Sequence, residues 1–233
     1  MATIYATKSE SVSKYAVGTW SSIRDAATGV VYSFPTTDYN SSAIEAFHTP
    51  GRGSNVYRVA RSFLLFDTSS ITGTVSSADL SIYGYVRGTA DVIAVKSDAY
   101  AGDGSSGIVA ADFNNFDTST PYSSEVTSWS TSGYNDISLN STARTDIQNN
   151  NVLIVCVMEH DYDFQDSAPS SAAFTAGMYN VGYTGTSRDP HLEVTVSAGA
   201  TVHTINTVAV ANIATIKSVA HANIAEINTV TFD

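Results

Sequence analysis

Residues 55–66 read NVYRVARSFLLF, an extended apolar pattern whose flanks are turn-forming residues. Segments of the same kind recur along the chain. ATIYAT opens it, VVYSF follows Gly29, ADLSIYGYV covers residues 78–86, DVIAVKS starts at Asp91 and YNDISL at Tyr134. NVLIVCVME is a nearly continuous apolar run over residues 151–159, and AGMYNVGY and HLEVTV close the set. Gly, Asn, Asp, Ser and Pro clusters separate them. Short strands at this spacing predict an all-β fold, an antiparallel jelly-roll sandwich. In RSFLLFD and LSIYGYV the aromatics fall at strand alternation, which predicts core residues or cross-strand pairs.

One short helix interrupts the strands. LNSTARTDIQNN offers Asn140 or Ser141 as N-cap, Ala143 and Ile147 at helical spacing, and an Asn-rich stop at residues 149–151. It is expected to plug one end of the sandwich. DAYAGDGSSG and EHDYDFQDSAPSS read as loops.

Composition narrows the function classes. The chain has 233 residues, 43% of them hydrophobic and 14% charged, so Ser, Thr, Asn and Tyr supply much of the polar surface. That profile is common in extracellular and virion β-proteins. A net charge of −11 and widely spaced lysines (Lys8, Lys14, Lys96, Lys217) argue against nucleic acid and anionic membranes as partners. The single cysteine, Cys156, lies inside VLIVCVM and reads as a small buried side chain. MATIYATKSE has neither a basic start nor an apolar core, so no secretory signal is expected, and no run is long and apolar enough to span a membrane. Release by lysis of a host cell would reconcile such a chain with an extracellular particle, a virion.

The C-terminal stretch INTVAVANIATIKSVAHANIAEINTV repeats with a period of eleven: Ile205 maps onto Ile216 and Ile227, Val208 onto Val219 and Val230, and Ile213 onto Ile224. Three helical turns fit that period and favour a right-handed supercoil. In that geometry Ile205, Val208, Ile213 and Ile216 share a face, and Asn212 and Asn223 form polar layers. Ile, Val, Thr and Asn are mediocre helix formers, so a β-stem with a turn in each repeat fits as well. Either element leaves an apolar stripe that needs copies of itself or another surface. The assembly residues are therefore Ile205, Val208, Ile213, Ile216, Val219, Ile224, Ile227 and Val230.

The run RSFLLFDTSSITGTVSSADLSIYG (residues 61–84), with WSTSGYNDISLNSTARTDI (129–147) and RDPHLEVTV (188–196), resembles a jelly-roll module of bacterial cell-surface and phage proteins. These are the DNRLRE-like or disaggregatase-related domains. The resemblance covers residues 2–196 and implies an adhesive or assembly domain. It also implies that Trp129 closes one end of the sandwich. The C-terminal units resemble tandem repeats that end many phage structural proteins, with Thr207, Ser218 and Thr229 where those carry Gly.

No catalytic constellation stands out. There is no Gly-x-Ser-x-Gly elbow, and His48, His160, His191, His203 and His221 show neither His-x-x-x-His nor His-Glu-x-x-His spacing. Glu159, Asp161 and Asp163 alternate, so an extended strand would put three carboxylates on one side, either for Ca²⁺ or as a solvated strand exit. Asp98 and Asp103 read as part of a turn. Trp129, Tyr100 and Tyr162, in loop-like contexts, could stack on sugar rings, against the simpler reading that they pack.

The expectation is a non-enzymatic phage structural or adhesion protein without cofactor: a head fibre, capsid decoration or tail-associated adhesin. A jelly-roll domain (1–197) and a linker (198–204) would precede an assembly tail (205–233). Its partners would be itself, most simply as a homotrimer, other virion proteins, and glycans. A carbohydrate-binding module and a subunit of an extracellular filament are the alternatives.

Overall fold

The computed structural model describes residues 1–32, 41–51, 53–170, 173–182 and 185–197. The linker 198–204 and the repeat 205–233, with all the assembly residues named above, lie outside the described residues. Within them the protein is an all-β antiparallel structure. In chain order the strands are β1 (Ala2–Val17), β2 (Val30–Tyr32), β3 (Ser41–Pro50), β4 (Asn55–Asp67), β5 (Thr74–Gly88), β6 (Val92–Ser97), β7 (Phe116–Pro121), β8 (Tyr134–Ser138), β9 (Val152–Glu159), β10 (Ala173–Tyr179) and β11 (His191–Ser197). A five-residue helix α1 (Trp20–Arg24) follows β1, and α2 (Ser141–Asn149) precedes β9.

The opening stretch occupies β4, and its environment explains its composition. One edge of β4 pairs with β1 from Val56 to Phe66. Along the other edge β3 pairs with residues up to Ala60 and β9 with residues from Ser62 onward, so Arg61 falls at the fork. Both faces are covered. Leu64 and Phe66, with Val92 and Ala94 of β6 and Leu153, Val155 and Val157 of β9, join one core. Phe63 and Leu65, with Ile93, Val95, Ile154, Cys156 and Met158, join a second. Strands buried on both faces lose polar alternation, hence SFLLF and VLIVCVM. Cys156 is fully buried, and burial raises its thiol well above the ordinary range, leaving it unreactive.

The first core is closed by Leu80, Ile82, Ile137, Leu192 and Val194, from β5, β8 and β11, and by Ala143 and Ile147 of α2. The helix begins as the sequence predicts: Asn140 Oδ1 accepts hydrogen bonds from the N–H groups of Thr142 (3.0 Å) and Ala143 (3.1 Å). The second core is covered by irregular chain instead of a sheet, with Trp20 and Ile23 of α1, Tyr100, Ile108 and Phe113.

Two strands, β1 and β5, change pairing partners part-way along their length. β1 pairs with β11 through Tyr5, shifts register at Ala6/Lys8, and continues along β4. β5 pairs with β11 and β8 up to Tyr83, then with β10 from Gly84. Strands that change sheets by a bend or bulge make the corners of a sandwich.

Elements beyond those read from the sequence carry polar residues on buried faces. Ser9, Ser11 and Ser13 of β1 are buried, and Ser9 Oγ accepts the N–H of Val181 at 2.7 Å. In β3 the buried Glu45 pairs with Arg58 (3.0 Å) and accepts from Thr175 (3.1 Å).

Candidate functional site

Inside β5, Leu80 and Ile82 point into the first core, so by the two-residue period Ser81, Tyr83 and Tyr85 point away from it. The same parity turns Tyr5 of β1, His191 of β11 and Tyr134 of β8 to that outer face. Their rings, with Tyr179 of β10, form a continuous row. Successive centroids lie 5.4 Å apart for Tyr5–His191, 4.8 Å for His191–Tyr134, 5.1 Å for Tyr134–Tyr83, 5.7 Å for Tyr83–Tyr179 and 4.8 Å for Tyr179–Tyr85. Tyr83 and Tyr134 are directly paired residues, and Tyr5 is paired with His191. Most contacts are edge-to-face, the geometry that aromatic quadrupoles favour.

Loop carbonyls hold the outer tips of the inner rings, and the row is open at its ends. Tyr83 donates its hydroxyl hydrogen bond to Ser132 O (2.7 Å), and Tyr134 to Ser187 O (3.2 Å) and Asp189 O (3.3 Å). Tyr5 and Tyr85, at the two ends, remain 41% and 38% exposed. The guanidinium of Arg188 lies over two inner rings, 5.1 Å from Tyr83 and 4.7 Å from Tyr179. Three carboxylates on the same face accept from neighbouring hydroxyls, and Glu193 Oε2 alone of their oxygens is buried with no partner among the described residues. Asp136 accepts from Ser81 (2.6 Å), Asp79 from Ser138 (2.7 Å) and Glu193 from Thr3 (2.8 Å). Among the described residues such a face offers ring stacking, hydroxyl and carboxylate acceptors, and the cation of Arg188.

LSIYGYV therefore divides its residues. Tyr83 and Tyr85 form cross-strand contacts on the outer face, and Leu80 and Ile82 form the core. The aromatics singled out from loop-like sequence serve packing. Tyr100 is fully buried and donates to Phe63 O (2.9 Å). Trp129 is buried, with Nε1 donating to Gly177 O (3.1 Å). Tyr162 packs against Phe174, its ring tilted at 38° with centroids 4.4 Å apart.

The acidic run after β9 is a second correction. Glu159, Asp161 and Asp163 do not line one side of a strand, because the chain coils into a π-type turn over His160–Phe164. Glu159 creates that turn by accepting the N–H groups of Asp161 (3.1 Å), Tyr162 (2.7 Å) and Asp163 (3.0 Å). Asp163 is turned inward onto Arg61, the fully buried arginine of β4. Asp161 instead joins Glu125 and His160 in a surface trio whose donor atoms lie within 4.8 Å of one another. Exposed acidic groups around a histidine form by solvated ion pairing alone, so the trio by itself defines no calcium site.

Burial raises the Glu159 carboxyl to about 7 against its ordinary 4.5, the three backbone donors offsetting only part of the effect. Between those values the folded state holds a proton that the unfolded chain releases, so stability falls as pH rises. Hydrogen bonds from Ser69, Ser105 and Ser119 hold Asp67, Asp103 and Asp117 below their ordinary value, a contribution lost only in stronger acid. The melting temperature is therefore expected to be higher near pH ~5 than near pH ~8. Glu159→Gln should flatten that slope, and an unchanged slope would assign the pH dependence to other groups.

A polar groove of about 540 Å³ lies elsewhere, lined by Lys96, Asp98, Asp103, Tyr122, Asp146 and Asn149 among others. Asp146 accepts from Lys96 at 2.9 Å and from Tyr122 at 2.5 Å. Burial, then this bond, raises the Tyr122 hydroxyl well above its ordinary range, and the network ties the groove wall to α2.

No family model matches the chain, and no curated protein matches it. Among the described residues no helix is long and apolar enough to cross a membrane.

Proposed function

We propose that the protein is a non-enzymatic adhesion module of an extracellular particle, a virion, which binds glycans through the outer face of β1, β5, β8, β10 and β11. The observation that carries this reading is the row from Tyr5 to Tyr85, six rings that join neither core and present exposed ends to solvent. Tyrosine suits sugar recognition because it stacks on a pyranose face, keeps a polar tip, and loses little conformational entropy on binding. The repeat at 205–233 supports multivalent display. One stripe per chain is too thin to bury itself, and copies held together convert weak single-face contacts into avidity through effective concentration.

Light scattering and polysaccharide pull-down on the same samples test both halves. The full chain should be trimeric and should be retained on insoluble polysaccharide, whereas a chain ending at Ser197 should be monomeric and elute about a hundredfold more readily. Tyr5→Ala with Tyr85→Ala should abolish retention and leave the mass unchanged. A monomeric full chain would refute the display reading. Retention indifferent to both tyrosines would refute the binding face.

A further inference from the structure

We infer that the sugar bound on this face is acidic, with Arg188 reading its carboxylate beside the Tyr85 ring. The inference rests on the glycan-binding reading and adds the charge of the ligand. Arg24, Arg58 and Arg61 each have acidic partners. Arg144 and Arg188 have none among the described residues, but Arg144 donates to Leu139 O (3.1 Å), whereas Arg188 has only aromatic rings against its guanidinium. On a chain of net charge −11, with 22 acidic side chains against 11 basic ones, a half-buried arginine left without a carboxylate calls for an explanation.

Its surroundings position the guanidinium without neutralising it. Two tyrosine rings lie within cation–π distance of it, at 5.1 and 4.7 Å. The backbone on either side is fixed because Tyr134 donates to the carbonyls of Ser187 and Asp189. The Asp189 carboxylate is turned away, accepting the N–H of Gly182 at 2.9 Å. A guanidinium with rings for neighbours and no acceptor among the described residues keeps its N–H groups available, and a guanidinium matches a carboxylate bidentately.

The distances fit one sugar residue. The exposed Tyr85 ring and the Arg188 guanidinium both lie within 5 Å of the Tyr179 ring, at 4.8 and 4.7 Å. A pyranose stacked on Tyr85 can therefore reach Arg188 with a ring carboxylate. The other carboxylates of the face stand toward its opposite end, where Asp136, Asp79 and Glu193 accept from Ser81, Ser138 and Thr3, and Glu193 Oε2 has no hydrogen-bond partner among the described residues. The row is open at both ends, and Arg188 lies against the Tyr83 and Tyr179 rings, next to the open ring of Tyr85.

Titration calorimetry of the full chain with polygalacturonate and alginate, and with the same two polymers after carboxyl reduction to neutral sugars, tests the inference. At least one acidic polymer should bind about tenfold tighter than its reduced form. Arg188→Gln should erase that difference between the acidic and reduced polymers, whereas Tyr85→Ala should weaken binding of both. Arg188→Lys, which keeps the charge and loses the fork, should recover only part of the preference. Equal binding of acidic and reduced polymers, or an acid preference that survives Arg188→Gln, overturns the inference and leaves the glycan face standing. Failure of all four polymers, with tyrosine-dependent retention on neutral polysaccharide intact, overturns the acid preference alone. Loss of both removes the glycan reading as well.

Discussion

Asp163→Ala is expected to cost about 3–5 kcal/mol of stability, because it strands the buried guanidinium of Arg61. That arginine is 0% exposed. Its Nε and Nη2 donate to the two carboxylate oxygens of Asp163 at 2.8 and 2.6 Å, and further bonds reach Phe113 O (2.7 Å) and Arg24 O (2.8 Å). Phe113 and Phe116 lie 4.3 and 4.2 Å from its guanidinium carbon. Removing the carboxylate leaves a cation between two phenyl rings with no counter-charge, and water can reach it only if the second core opens. Removing both charges is different. Arg61→Met with Asp163→Leu restores apolar packing at similar volume, so the double variant should be more stable than Asp163→Ala, whatever its rank against the parent. Urea denaturation of the three proteins decides. A single variant within about 1 kcal/mol of the parent would mean that the pair is hydrated and that the second core is looser than its packing indicates.

The Arg61–Asp163 pair also shows where sequence reading reaches its limit. Strand positions were legible because alternation is local: ADLSIYGYV separates Leu80 and Ile82 from Tyr83 and Tyr85 without reference to any other residue. Which face meets a core and which meets solvent depends on β8, β10 and β11, which lie far along the chain, so the aromatic row was hidden within a correct strand. The partner of Arg61 is 102 residues away, and no local pattern points to it. The alternation of Glu159, Asp161 and Asp163 was misleading for a definite reason. A carboxylate at a strand end can capture the next backbone N–H groups and coil the chain, and the period of two then ends at Glu159 itself. β3 and the second half of β1 were hidden by polar residues that face inward with partners supplied by distant strands, such as Glu45 with Arg58 and Thr175. The turn-rich cover of the second core was likewise invisible, since irregular chain has no period to read.

Gly84→Ala is the second substitution with a large expected effect, and it joins the fold to the binding face. At Gly84 the β5 strand leaves β8 and begins to pair with β10. The chain around Ser130 crosses over it there, with Gly84 N–H donating to Gly133 O (2.9 Å). A Cβ at this position would collide with the carbonyl oxygen of Ser130 and lie 2.9 Å from Asn135 Nδ2. Neither group can retreat cheaply. Asn135 holds the crossing chain by accepting from Ser130 N–H (2.7 Å) and donating to Ser130 O (3.0 Å) and Ile82 O (3.3 Å). Trp129, one residue earlier, is anchored to Gly177 O. The expected cost is about 3 kcal/mol, the upper range for forcing a side chain into a packed site. Gly107→Ala is the matched control, because its Cβ would meet nothing within 4 Å, and it should stay within about 0.5 kcal/mol of the parent. The functional consequence follows from position. Tyr83 and Tyr85 flank Gly84, so a strand pushed off its crossing moves both rings relative to Tyr134 and Tyr179 and breaks the row. In protein that remains folded, Gly84→Ala should therefore lose polysaccharide retention along with a red shift of Trp129 fluorescence. Full retention accompanied by the red shift would show that the tyrosines bind independently of the sheet geometry, and the face would then owe its affinity to its exposed ends alone.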